Sequence, residues 1–558
     1  MMVTEDTIAT KDPIAFPELS ESDIAALKIR GQIRPVHAGE VLYREGDRSH
    51  SFFVVLEGAI EAVEHSHGTP RHLTTHRRGN FTGDVDLLTG RRLLVTGQVI
   101  EDGSVLELST ENLRRAVDQL PELGETIIKA FLQRRQMILD GFEGVKIVGS
   151  RFSPEAHRLR DFAARNAIPF RFLDLETDEE AETLLRTLGV PASDTPILIG
   201  REGQWHSRPS LEDFGACAGL TATLEPEHVY DLVIVGAGPA GLAAAVYAAS
   251  EGLDVLVADS MAAGGQAGTS MRIENYLGFP AGISGTELTR NALIQAQRFG
   301  ATVSVPTTVR SLGIDGGDRV ITLADGTRLR TRCVLVASGV VYRKLDVPRF
   351  GEFDGAGIYY AATAMEAKLC RGEEVVVVGA GNSAGQAVVY LAGKDRCKHV
   401  HLMIRGDDLG KSMSRYLVDR VEGLENVTIY RNSEVIGLEG DGHLSAVEMR
   451  NRDGRRTTIQ TSALFLLIGA DANTEWLRNC VELDKKGFVL TGKNLPQETA
   501  NNERWKAAGR TPSLLETSLP GIFAAGDVRS GSTKRVAAAV GEGAITVSFV
   551  HSHIGRTV

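Results

Sequence analysis

The sequence predicts an α/β protein of four units. Two are parallel-sheet units of the glycine-turn βαβ kind, and ahead of them stand a β-roll and a smaller α/β unit. Three observations point there. An apolar strand, a glycine turn and an alanine-rich helix run through "DLVIVGAGPAGLAAAVYAASEGLDVLVADS", and the pattern returns at "EEVVVVGAGNSAGQAVVYLAG". The text "HAGEVLYREGDRSHSFFVVLEGAIEAVEH" alternates apolar and polar residues between glycine breaks, as short antiparallel strands do. From Val145 to about Leu220, strand-like and helix-like runs take turns.

Composition sets the bounds. A chain of 558 residues, 42% of them hydrophobic, can build several ordinary cores. Net charge is −11 and no extended basic stretch occurs, which argues against nucleic acid as a partner. No window reaches the ~18 apolar residues a membrane span needs. The N-terminus "MMVTEDTIATKDPIAFPELSESD" lacks the apolar core of a secretory signal. The five cysteines, at 217, 333, 370, 397 and 480, form no Cys-x-x-Cys and no metal-ligand spacing. The expectation is a reduced, cytoplasmic chain without a metal.

The first unit, residues 1–143, places the β-roll ahead of "STENLRRAVDQLPELGETIIKAFLQRRQMIL", whose apolar residues recur at helical spacing behind Ser109 as a cap. This arrangement resembles the cyclic-nucleotide-binding domain family. The resemblance implies a Gly-Glu pair for the ribose and, about nine residues on, an Arg for the phosphate. Here Gly83 and Asp84 take the pair and Leu93 falls where the Arg is expected, with Arg91 and Arg92 nearby. A strand residue faces one way only, so neighbouring arginines are not equivalent to it. A cyclic nucleotide is one candidate ligand; a roll kept for packing or for another ligand is the favoured reading.

The second unit, residues 144–224, runs "VKIVGS", "PEAHRLRDFAARNAI", "PFRFLDLE", "DEEAETLLRTLGV", "TPILIG" and "SLEDFGACAGL". It resembles a glutaredoxin or thioredoxin fold, with Thr195-Pro196 where that fold carries its cis-proline. The redox position reads Ser153-Pro154-Glu155-Ala156, so no thiol is present to attack a disulfide. A redox-silent scaffold or docking module is expected.

The third unit spans 225–343 and 467–558, with the fourth, 344–466, inserted. Gly236, Gly238 and Gly241 form GxGxxG: a tight turn, a close approach to a pyrophosphate, and helix-on-strand packing. The following helix offers free N–H groups and positive partial charge. Asp259 ends the second strand, where a carboxylate grips a ribose. In the inserted unit, Gly379, Gly381 and Ala384 give GxGxxA, and the second strand ends on Ile404-Arg405 without an acid. An acid there would repel a 2′-phosphate, whereas Arg405, Lys411 and Arg415 would bind one, which favours NADPH over NADH.

"AAGGQAGTSMRIENYLGFP", "VLVASG" and "PGIFAAGDVRSGSTKRVAAAVGEGA" complete the pattern. In order and spacing these motifs resemble the low-molecular-weight thioredoxin reductase family over residues 226–558. The resemblance implies FAD and NADPH as cofactors, a homodimer, and a hinge between the two units. It places Pro239, Ala240, Gly265, Gln266, Asn275, Val309, Ala337 and Gly526 beside FAD, with Asp527 on the ribityl chain. Arg535, Val536 and Ala537 stand at the helix facing the flavin, with Arg535 where the family has Gln. Asn382 and Ser383 stand beside the nicotinamide nucleotide's phosphates. The family's Cys-x-x-Cys-Asp falls on Ala362, Met365 and Glu366, and Cys370 lies too far along to replace a partner.

The expected activity is hydride transfer from NADPH to FAD and then to an outside acceptor: a ferredoxin or flavodoxin, a quinone-like small molecule, or oxygen. A flavin-based redox or ligand sensor is the alternative from another class. Thioredoxin-disulfide reduction in the strict sense is disfavoured. Tyr359, Tyr360 and Glu366 are the expected contacts with the acceptor.

Overall fold

The computed structural model describes residues 12–47, 50–64, 70–141, 144–201, 203–222, 224–225, 228–315 and 317–555. The first eleven residues of the polar N-terminus lie outside them. No helix among the described residues is long and apolar enough to cross a membrane.

Helix α1 (Glu21–Lys28) precedes a five-stranded antiparallel roll: β1 (Gln32–Val36), β2 (Val41–Tyr43), β3 (Phe52–Glu64), β4 (Arg71–His76) and β5 (Thr96–Leu108), with α2 (Val85–Thr89) between β4 and β5. Helices α3 (Thr110–Gln119) and α4 (Pro121–Gly141) close it. Ser109 caps α3 as the sequence suggested, accepting the Asn112 N–H at 3.2 Å. Phe52, Phe81 and Phe131 meet in its core.

The second unit runs β6 (Val145–Gly149), α5 (Pro154–Arg165), β7 (Phe170–Asp174), α6 (Glu179–Leu188), β8 (Ile197–Ile199), β9 (Trp205–Ser207) and α7 (Leu211–Cys217). Its sheet order is β7-β6-β8-β9, with β6 and β7 parallel and the last two strands antiparallel. Thr195–Pro196 is cis, at the position read from the sequence. Ser153 caps α5, accepting the Ala156 N–H at 3.1 Å.

In the third unit the sheet is built from β10 (Val229–Val235), β11 (Val255–Ala258), β12 (Thr302–Ser304), β13 (Val309–Asp315), β14 (Asp318–Leu323) and β15 (Arg328–Val336), joined late by β26 (Ile522–Ala524). Helices α8 (Pro239–Ser250), α9 (Gly285–Arg298) and the C-terminal α16 (Val536–Ile554) accompany it. Alternate residues of the parallel strands face opposite layers. Leu232, Ile234 and Leu335 pack on α8 and α16, and Val233, Val334 and Val336 pack on the β13–β14 hairpin.

The inserted unit repeats this design. Strands β17 (Ile358–Tyr359), β18 (Glu374–Val378), β19 (His399–Met403), β20 (Val427–Tyr430) and β24 (Leu464–Leu466) form a parallel sheet. Its Val375 and Val377 face α12 (Asn382–Leu391) and α13 (Arg415–Glu422), while Val376 and Val378 face the antiparallel β21 (Ser433–Gly440), β22 (Leu444–Asn451) and β23 (Arg456–Gln460). Helices α10 (Phe350–Phe353) and α11 (Ala364–Leu369) lie at its entrance, and α14 (Gln497–Ala500) and α15 (Glu503–Ala507) follow its exit. The chain crosses between the two units in β16 (Val340–Tyr342) and β25 (Ala470–Ala472), which pair antiparallel. Cys370 is the C-cap residue of α11, in the short link that leads into β18.

Helices α8 and α16 touch through glycine. A Cβ on Gly543 would lie 2.1 Å from the Ala240 carbonyl oxygen. Gly543→Val should therefore cost about 3 kcal/mol by overpacking, read as a lowered midpoint in chemical denaturation.

Candidate functional site

A cleft of about 890 Å³ opens between the third unit and the inserted one. Its floor is the glycine turn: Gly236, Gly238, Pro239 and Ala240 line it, with Asp259, Gly265, Gln266 and Ala337 beside them. Gly236 holds φ +108, and a Cβ there would sit 2.3 Å from the Ala337 carbonyl oxygen, so only glycine turns the chain here. Gly241 is a packing residue: its Cβ would meet the Gly236 carbonyl oxygen at 1.9 Å.

Asp259 organises this floor. Its carboxylate accepts N–H bonds from Ala237 at 2.8 Å, Met261 at 2.9 Å and Ala262 at 3.0 Å. It thereby ties the glycine turn to the loop after β11. Oδ1 takes the Met261 and Ala262 bonds and Oδ2 only that of Ala237, so Oδ2 retains room for a further donor such as a ribose hydroxyl.

From the opposite wall come Gly526, Asp527, Lys534, Arg535 and Val536. The N-termini of α8 and α16 carry no side-chain cap, so their first N–H groups are left for a ligand. Glu542 accepts the Gly526 N–H at 2.7 Å and pairs with Arg529, which fixes the loop before α16. Burial pushes the Asp527 carboxyl up, and Lys534, donating to the Asp527 carbonyl, opposes that rise. Arg535 is exposed, and its guanidinium donates to the Lys534 carbonyl at 3.0 Å while lining the cleft. Two uncapped helix ends, two carboxylates and a glycine floor suit a dinucleotide with a flavin head.

Three residues expected beside FAD lie outside the cleft lining. Asn275 and Ala537 are exposed elsewhere, and Val309 starts β13 and packs on the third unit's sheet core. Ala362 lines the cleft with Tyr360 and Ala361, whereas Met365 sits half-buried in α11. Tyr359 and Glu366 are buried away from it, Glu366 capping α11 through Thr363. Of the three expected acceptor contacts, only Tyr360 reaches the cleft.

At the second glycine turn, Ser383 reaches the cleft, and Asn382 Oδ1 accepts the Ser414 N–H at 2.7 Å. A Cβ on Gly379 would lie 2.3 Å from the Leu467 carbonyl oxygen and 3.2 Å from the Ala384 Cβ, while Gly381 faces open space. Lys411 pairs with Asp407 at 2.6 Å and Arg415 with Asp419 at 2.6 Å, all exposed. Arg405 is exposed and makes no ion pair among the described residues.

All five cysteines are free. Burial pushes the thiol of Cys333 up to about 12 and that of Cys397 to about 11, and raises Cys370 and Cys480 as well. None of these four is a ready thiolate nucleophile.

Several cleft residues carried no sequence signal. Arg165 comes from α5 of the second unit, its guanidinium donating to the Gly265 carbonyl at 3.0 Å. Arg396, Arg420 and Tyr342 arrive from the inserted unit and the crossing.

In the β-roll, a cavity of about 60 Å³ is lined by Tyr43, His76, Asp84, Leu93 and Arg134 among others. Leu93 faces inward, and Arg91 turns outward to donate to the Asn166 carbonyl at 3.2 Å. Burial, then the neighbouring Asp86, pushes Asp84 up to about 7.

A glycine-turn unit interrupted by a second one, with the closing helix aimed at their common cleft, defines the class of FAD- and pyridine-nucleotide-dependent oxidoreductases. The chain belongs to the pyridine nucleotide-disulphide oxidoreductase family, whose model matches residues 230–543. A cyclic nucleotide-binding domain model matches residues 33–119. Within the family the chain is similar to thioredoxin reductases. It is 33% identical to that of Mycolicibacterium smegmatis over 57% of this chain and 94% of the relative. It is also 33% identical to NADPH-dependent thioredoxin reductase 3 of Arabidopsis thaliana, the match covering 57% of each chain. The solved T. acidophilum thioredoxin reductase superposes with a TM-score of 0.51 at 29% identity, over 58% of this chain and 99% of that one. Membership implies use of FAD and NAD(P)H.

Two outcomes test this geometry. Asp259→Ala strands three N–H groups, should cost about 2–3 kcal/mol, and should yield protein purified without flavin; retained flavin absorbance would count against the assignment. For Asp84, a native pKa of about 7 against 3.8 means the folded roll holds this proton more tightly than the unfolded chain. Stability should therefore fall as pH rises across that window, and Asp84→Asn, which still caps α2, should flatten the fall in pH-dependent melts.

Proposed function

We propose that this chain is an NADPH-dependent FAD oxidoreductase that passes electrons to an acceptor outside the chain, with no internal dithiol relay. The observation that carries the reading is the cleft wall at Tyr360, Ala361 and Ala362: the segment where the resemblance implies a cysteine pair presents none. Bound FAD supplies a two-electron centre that takes a hydride from a nicotinamide, chemistry that needs stacked rings rather than a protein acid or base.

The chain's own residues bind and orient. The N-terminus of α8 and the Asp259 loop hold the pyrophosphate and ribose of the dinucleotide. The α16 N-terminus turns its positive end to the flavin head, favouring negative charge there. Arg405 meets a 2′-phosphate as a charge-assisted pair. Lys411 and Arg415 exchange weak surface carboxylate partners for the same group.

Arg165, Arg272, Arg396, Arg420, Lys534 and Arg535 line the cleft against Asp259, Glu274 and Asp527, so its lining is net cationic. That charge suits an anionic small acceptor or an acidic carrier such as a ferredoxin or flavodoxin. The second unit reads as a thioredoxin-like module without redox chemistry. The β-roll, with Leu93 at its phosphate position, reads as a roll that does not take a cyclic nucleotide. A sensor remains the second reading, favoured by Arg165, which brings the N-terminal modules into the cleft.

Anaerobic titration with NADPH, followed by flavin absorbance, tests the proposal. One NADPH should bleach one FAD, with no further uptake, and added acceptor should restore the colour. Uptake of a second equivalent would reveal a dithiol and overturn the reading, and failure to reoxidise with any acceptor would favour the sensor. Arg405→Ala should raise the KM for NADPH about tenfold or more and leave that for NADH unchanged.

A further inference from the structure

The flavin and inserted units are covalently joined only through β16 and β25, a two-stranded crossing that pairs Val340 with Ala472 and Tyr342 with Ala470. Such a crossing is a soft joint, and relative motion is the default for units so connected unless other contacts oppose it. Helix α5 of the second unit lies across this joint.

One end of α5 rests on the inserted unit. Phe152, just before the helix, stacks on His443 with ring centroids 4.2 Å apart. A Cβ on Gly355 would lie 3.2 Å from the Pro154 Cα, so the two backbones meet closely. The His157 ring lies 5.2 Å from that of Tyr359, and His157 Nε2 is 3.9 Å from Glu366 Oε1. Burial holds His157 neutral, its pKa lowered to about 4, so this contact is no salt-sensitive ion pair.

The other end rests on the flavin unit. Arg165 donates to the Gly265 carbonyl at 3.0 Å, and Asn166 Nδ2 donates to the Met261 carbonyl at 3.0 Å. A helix of this length reaches about 18 Å, enough to bridge both units.

The β-roll braces the same end. Arg91 donates to the Asn166 carbonyl at 3.2 Å, and Arg135 donates to the Ala167 carbonyl at 3.3 Å. Arg135 is itself fixed by a buried pair with Asp86 at 2.7 Å. Guanidinium groups from another unit thus meet carbonyls at the C-terminal end of α5, where a helix lacks partners of its own.

We propose that α5 is a strut that holds the flavin and inserted units at one angle, with the β-roll as its abutment, so that the two units do not rotate against each other during a redox cycle. Arg165 is its positioning residue at the flavin cleft. It holds the loop whose Gly265 lies against Gly238, where a Cβ on Gly265 would come within 3.0 Å of the Gly238 Cα.

Pulsed electron–electron resonance on the full-length holoprotein tests this. Spin labels at Tyr247→Cys on α8 and Asp453→Cys in the β22–β23 turn, both exposed positions, report the angle, with Cys217 and Cys480 replaced by Ser. The expected result is a single narrow distance that neither NADPH nor dithionite changes. Phe152→Ala/His157→Ala/Arg165→Ala should add a second distance, and Arg165→Ala alone should broaden the first. A second population in the otherwise unaltered chain on reduction would overturn the strut. So would a triple variant, folded by circular dichroism, whose distances match those of the parent. These readouts need no turnover. A chain that fails the NADPH titration would still give distances that decide this point.

Discussion

The close approach of α8 and α16 is the constraint on which the rest of the site depends. Gly543 lies so near the Ala240 carbonyl, and Gly241 so near that of Gly236, that no side chain fits at either contact. Because the helices can lie this close, their two N-termini open on one cleft. Each brings N–H groups without a side-chain cap and the positive end of its dipole. Glu542, one helical position from the contact glycine, then holds Gly526 and Arg529 and sets where Asp527 stands. A bulkier contact would shift the flavin-facing end relative to the phosphate-facing end, and a ligand that spans both would feel the whole displacement.

The missing thiols change what the cleft can do rather than whether it forms. Ala362 is small and buried, so the cleft wall it lines closes without a sulfur atom. The buried thiols of Cys333, Cys370 and Cys397 are raised, and their place is hydrophobic core. No thiol stands among the residues that line that wall, and the lining as a whole is net cationic.

Local pattern made much of this architecture legible in the sequence. The glycine turns, the acid after β11, the cap at Ser109 and the apolar runs of β10 and β18 are each set within a few residues of chain. Asn275 and Ala537 show where such reading stops. Both were placed by motif alone, and whether a motif residue faces the cleft is decided by how its loop or helix turns. Arg165 shows the complementary failure. It looks like any arginine at the end of an amphipathic helix, and only the docking of one unit on another brings it to Gly265. Arg165 and Asn166 on one side, and Met261 and Gly265 on the other, have no local reason to meet.

Irregular backbone explains the last departure. Arg91 and Leu93 lie before β5 begins at Thr96, where no strand alternation ties their directions together; Leu93 lines the cavity and Arg91 points to the neighbouring unit. Arg91, two residues before the position where the resemblance implies a phosphate-binding arginine, thus serves the end of α5. The same helix begins at Ser153, where a redox cysteine would stand, and lies on Tyr359 and Glu366, flanking the other vacant redox position. Three sites of expected chemistry therefore border one helix. A thiol pair needs an open face to reach its partner, and a phosphate-binding arginine needs an open pocket. A docked helix needs those same faces closed. Packing and exchange chemistry exclude each other at such a surface, and here the closed arrangement joins the β-roll, the flavin unit and the inserted unit through one helix whose Arg165 reaches the cleft.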